Sequence, residues 1–93
     1  AVPDVAALDR QLTQCCDDPD FVDTESKRLA GKRLGEQIFA DQNVPDQLRA
    51  RAASVVAQVY MKTQDREQAR QWMQKAVALD PANKTYKTIL DQF

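Results

Sequence analysis

At 93 residues, 43% hydrophobic and 29% charged, the chain has the size and balance of one small domain with a modest core. It contains no histidine, which removes the commonest general base and the commonest zinc ligand together. With no glycine-rich phosphate loop and no thiol or hydroxyl beside an activating group, it reads as a non-enzyme that needs no cofactor or metal.

Two glycines, four prolines and abundant Ala, Gln, Leu, Arg and Lys favour helix throughout. Pro3 suits a first helical turn, and Val5, Leu8, Leu12 and Cys15 recur at helical spacing, predicting a helix over 3–16. Cys15 and Cys16 are adjacent, too close for an unstrained disulfide. They read as reduced, small apolar residues of a helix interface, the alternative being a redox or intermolecular bridge. The run Asp17 to Asp23 is a turn broken by Pro19, with aspartates to cap the next helix. A calcium loop fails there on spacing, because Val22 stands where an oxygen ligand is needed and no turn glycine comes after it.

A second helix is predicted over 24–42, with Leu29, Ala30, Leu34, Ile38 and Phe39 inward. Gly31 and Gly35 lie one turn apart, a cost a helix bears where another backbone comes close. After 43–46 a third helix starts at Pro45 or Asp46 and places Ala52, Val55, Val56, Val59 and Tyr60 on one face. A polar turn at Gln64 and Asp65 leads to a fourth helix with Ala69, Trp72, Met73, Ala76 and Leu79 on one face, ended by Pro81. Asn83 caps a last helix whose Tyr86, Ile89, Leu90 and Phe93 form an apolar stripe.

The stretch 50–83, with Ala57 and Tyr60, then Ala69, Met73, Ala76 and Pro81, resembles the tetratricopeptide repeat, a helical hairpin of about 34 residues. It departs from that family at Ala53 and Val56, where tryptophan and leucine are common, at Gln64, which replaces the usual turn glycine, and at Arg66 and Arg70. Gly35 and Phe39 stand 34 residues before Ala69 and Met73, so residues 1–45 look like a degenerate hairpin preceding it. The resemblance implies an all-α fold of two antiparallel hairpins, 1–45 and 46–83, in a right-handed stack closed by a capping helix over 84–93. The last stripe then covers the preceding hairpin; the alternative is a docking segment.

In that family the first helices of successive hairpins line a concave groove. Here the resemblance places Arg51, Ser54, Val55, Gln58 and Lys62 beside Thr85, Thr88 and Gln92, with the outward residues of the first helix completing the wall. Two cations, amides, hydroxyls and one apolar group suit an extended peptide held by its backbone. Relatives that hold a chaperone's terminal carboxylate need lysine and asparagine where Ser54 and Gln58 stand, so that specificity does not carry over. Trp72 is a further candidate, either packed against the last helix or a partly exposed contact residue.

Charge divides along the chain: residues 1–46 carry ten acids against five bases, a balance of −5, and residues 47–93 four acids against eight bases, +4. Such ends could steer a charged partner or pair head to tail with another copy; otherwise they are ordinary solvated helix faces. Bases spread over several faces, with a sequence pI of about 5.3 and no interleaved aromatics, exclude nucleic acid. No apolar run approaches the roughly 20 residues of a membrane span.

The expected function is therefore a protein-binding adaptor, chaperone or assembly factor with a polypeptide partner. The alternative is a structural oligomerisation domain, a homodimer or part of a larger chain, since two hairpins and one helix are few for a stacked array. Bacterial secretion and pilus-assembly systems use comparable modules, and the resemblance suggests that setting. Ala1-Val2-Pro3 has the look of a start left by signal-peptide removal, and equally of a fragment. A periplasmic or otherwise exported location is the expectation, against which two unpaired thiols count, with cytoplasmic the alternative.

Overall fold

The computed structural model describes residues 4–21 and 23–93. They form five helices and no strand: α1 (Val5–Asp17), α2 (Glu25–Ala40), α3 (Asp46–Lys62), α4 (Arg66–Leu79) and α5 (Lys84–Asp91). The expectations for Pro3 and Val22 lie outside the described residues. Asp4 caps α1, its carboxylate accepting from the Ala7 N–H at 3.1 Å. In the next turn Asp18 accepts from the Asp20 N–H and pairs with Lys27, both at 2.9 Å, tying the loop to the start of α2. Hydrogen bonding to Lys27, then to the Asp20 N–H, holds the Asp18 carboxyl below its ordinary pKa. At its other end α2 stops at Ala40, short of Gln42. There Asp41 accepts from the Asn43 N–H and donates its own N–H to Ile38, a turn that the burial of Val44 anchors.

The α3–α4 turn explains why a glycine belongs there. Gln64 has φ 65°, the left-handed region. The Asp65 N–H donates to Tyr60 O at 2.9 Å and the Gln64 N–H to Met61 O at 3.2 Å, the paired bonds of a Schellman ending. Asp65 then caps α4 by accepting from the Gln68 N–H. A side chain in this conformation is disfavoured by about 1–2 kcal/mol, part of which glycine returns as unfolded-state entropy. Gln64→Gly is therefore expected to stabilise the domain by about 0.5–1 kcal/mol in urea unfolding, and Gln64→Val to destabilise it. Equal stabilities for the three would show the turn to be unstrained.

The central helix is α3, which is buried on two sides. Leu48, Ala52, Val55 and Val59 face a core built with Leu12, Phe21, Ile38 and Val44, while Ala50, Ala53 and Ala57 face Met73 and Ala76 of α4. The expected single face is thus corrected to two. Tyr60 is corrected as well: its half-buried ring lies under the Lys32 ammonium of α2, 4.9 Å from the centroid. On α2 the buried face is Gly31, Gly35 and Ile38. Leu29 and Ala30, expected inward, are exposed. The glycines decide this. A Cβ on Gly35 would sit 2.8 Å from the Ala52 carbonyl oxygen, so α2 approaches α3 closely there, and one on Gly31 would meet the Phe21 ring of the α1–α2 loop.

The inward stripe of α5 repeats that of α3. Tyr86, Ile89, Leu90 and Phe93 stand 34 residues after Ala52, Val55, Val56 and Val59, and pack, half-buried, against the α3–α4 core. On its other side Lys84, Lys87 and Asp91 replace Ala50, Ala53 and Ala57. Where α3 receives α4 on alanines, α5 presents charge to solvent.

Candidate peptide-binding face

The sequence candidates on α3 are separated by the structure into surface and core. Arg51 is half-buried and reaches across to α1, donating to the Asp9 carboxylate and, through Nη2, to Thr13 Oγ1 at 2.7 Å. Ser54 is 7% exposed, and its hydroxyl donates to Arg51 O at 2.6 Å. Val55 is fully buried in the α1–α2–α3 core and lines no surface, a correction that comes from α3 being enclosed on two sides. Gln58 is exposed. Lys62, also exposed, pairs with Asp23 of the α1–α2 loop at 3.0 Å.

On α5, Thr85, Thr88 and Gln92 are exposed. Thr88 Oγ1 donates to Lys84 O at 2.9 Å. Gln92 borders a cavity of about 510 Å³ with Met61, Gln64, Arg66 and Phe93, joining the end of α5 to the α3–α4 turn. Trp72 lies elsewhere. Its half-buried ring meets Phe39 of α2 edge to face, centroids 5.2 Å apart at 75°, with the Lys75 ammonium 4.0 Å above it. Its aromatic partner is thus on α2, where the last helix was expected.

Residues that sequence reasoning missed complete the face. Tyr86 packs half-buried against the second core, and burial raises its phenol above the ordinary pKa, with Ser54 pulling the other way. On α1, Asp9 and Thr13 hold Arg51, and Cys16 is exposed. Although the residue is exposed, partial desolvation of its sulfur raises the Cys16 thiol, Arg51 lowering it and Asp17 raising it. Cys15 packs against the first core, its thiol raised by burial and then by Cys16 and Asp18. Both thiols are thereby kept protonated and weakly nucleophilic at neutral pH. The charge division of the sequence was the available signal for these pairings, since Asp9 and Asp23 of the acidic half meet Arg51 and Lys62 of the basic half. Two of the chain's charges of each sign are thereby spent within the molecule.

Arg51 thus ties α1 to α3, while the half-buried stripe of α5 packs on Ala50, Ala53 and Ala57 of α3 and on Met73 and Ala76 of α4. Gln58 of α3 and Thr85, Thr88 and Gln92 of α5 present amides and hydroxyls open to solvent. Among the described residues no cluster of His, Cys, Asp or Glu gathers that could hold a metal ion, and no helix is long and apolar enough to cross a membrane. Comparison of the chain with protein-family models, curated proteins and solved structures found no match.

Proposed function

We propose that this chain is a non-enzymatic, tetratricopeptide-like binding module that holds an extended polypeptide on the side shared by α1, α3 and α5. The observation that carries this reading is the Arg51 bridge from α3 to Asp9 and Thr13 of α1, with Gln58 of α3 and Thr85, Thr88 and Gln92 of α5 left exposed. Because Asp9 and Asp23 already compensate Arg51 and Lys62, the groups free to act are amides and hydroxyls. Such groups suit the backbone N–H and C=O of an extended segment better than a charged side chain. Selection of a partner by this face is accordingly weakly dependent on salt.

The test is made on residues that do not hold the fold. Arg51 and Lys62 are unsuitable, since reversing either also breaks a contact between the hairpins. A displayed library of extended peptides is screened for binders, and the best is titrated against wild type and the double variant Gln58→Ala/Thr88→Ala. The expected result is about a tenfold weakening, the size of one or two lost hydrogen bonds, with an unchanged melting curve. Binding that is unaffected, or that is lost only together with the fold, overturns the reading.

A further inference from the structure

The two ends of the domain are unlike, and each is incomplete. On the side of α1 and α2 away from α3, a furrow runs between these helices. Leu8, Leu34 and Ile38 border one part of about 300 Å³, while Cys15, Phe21, Ala30 and the paired Asp18 and Lys27 border the next, of about 320 Å³, Gln11 and Leu34 being common to both. Asp4 and Asp41 stand at one end of it without a cation partner among the described residues. At the opposite end of the domain α5 buries no residue completely. Its outward Lys84 and Lys87 are exposed and have no carboxylate partner among the described residues. Their places in α3 are held by alanines that receive an apolar helix. Lysines at these places can be covered only by a surface that sets carboxylates opposite them, since an unpaired ammonium is costly to bury.

We infer that copies of this chain associate head to tail, the lysine face of α5 in one copy lying against the α1–α2 furrow of the next, with Lys84 and Lys87 facing Asp4 and Asp41. The contact is heterologous: each copy uses its acidic end for one neighbour and its basic end for another, so association does not close at a dimer. This goes beyond the peptide-binding reading, whose face it would lengthen from copy to copy, and none of its residues belongs to that face.

Sedimentation equilibrium over micromolar to millimolar concentrations, at low and high salt and with reductant present, tests it. The wild type is expected to rise above 10.5 kDa without levelling at two chains, and to return to monomer at high salt, where screening shortens the reach of the charges. Lys84→Glu/Lys87→Glu is expected to stay monomeric; acids near a helix N-terminus favour α5, so the loss is not one of folding. Asp4→Asn/Asp41→Asn is also expected to be monomeric, asparagine keeping the capping acceptor. Mixed together, the two variants retain one intact end each and form a dimer that grows no further. A wild type monomeric throughout, a closed dimer formed by either variant alone, or association seen only without reductant overturns the proposal.

Discussion

Met73→Ala is expected to lower the stability of the domain by about 2–5 kcal/mol, the usual range for emptying a buried large site. The reason lies in what surrounds it. Met73 is 1% exposed, and its fully buried neighbours across the α3–α4 seam are Ala50, Ala53, Ala57 and Ala76. Alanines have no side-chain freedom with which to close the space, so most of the cavity remains. At about 0.05–0.15 kcal/mol per residue a domain of this size has roughly 5–14 kcal/mol in hand, so the variant is expected to lose a large share of it. Met73→Leu keeps the volume and should cost less than about 1.5 kcal/mol. Urea titration followed by circular dichroism separates the two. If the alanine variant kept the wild-type midpoint, the seam would not be the centre of the second core.

Gly35→Ala is expected to cost about 1–3 kcal/mol, although alanine is the better helix former by up to about 1 kcal/mol. The added methyl would lie 2.6 Å from Val56 Cγ2 and 2.8 Å from the Ala52 carbonyl oxygen. The valine can adjust, but the carbonyl belongs to the helix around which both cores are built. α2 must therefore move away from α3, loosening the contact between the hairpins. Gly31→Ala provides the comparison. Its methyl meets the outer edge of the Phe21 ring, a side chain that can turn aside, and its loss is expected to be smaller and partly offset by helix propensity. Thermal melts of the two variants should differ by several degrees, a domain of this length shifting about 4–8 °C per kcal/mol. Equal melting points would mean that the carbonyl of Ala52 gives way as easily as the ring of Phe21.

Periodicity alone was sufficient for the number and order of the helices, because each carries an apolar stripe at helical spacing bounded by Pro, Asp or Asn. Asn83 is an example: its carboxamide accepts from the N–H groups of Thr85 and Tyr86, as its position before the last stripe indicated. Gln64, singled out as an unusual turn residue, is the non-glycine residue with positive φ among those described. The glycines of α2 also announced a close approach, and one occurs at Ala52.

What sequence could not supply was the number of neighbours each helix has. Resemblance to the repeat family assigns Val55 to a groove, although helical spacing also puts it on the apolar face of the third helix, whose Ala50 and Ala53 spacing alone leaves unassigned. Those alanines are a second contact surface, and with both sides occupied Val55 is enclosed. In the same way Leu29 and Ala30 appeared inward by hydrophobicity, yet the side of α2 that fits against α3 is the one with no side chains to separate the backbones.

The composition, the helices, their caps and the uneven charge were determined by the sequence itself, since all depend on residues within a few positions of one another or on simple sums. Which charges meet between helices was decided by tertiary structure, whereas Lys32–Glu36, Asp46–Arg49 and Glu67–Arg70 pair within one helix. Asp9 and Arg51 are 42 positions apart, and only the packing of α1 beside α3 brings them together. Trp72 gained its partner Phe39 in the same way, because residues distant along the chain become neighbours only when backbones pack at a distance set by alanine and glycine.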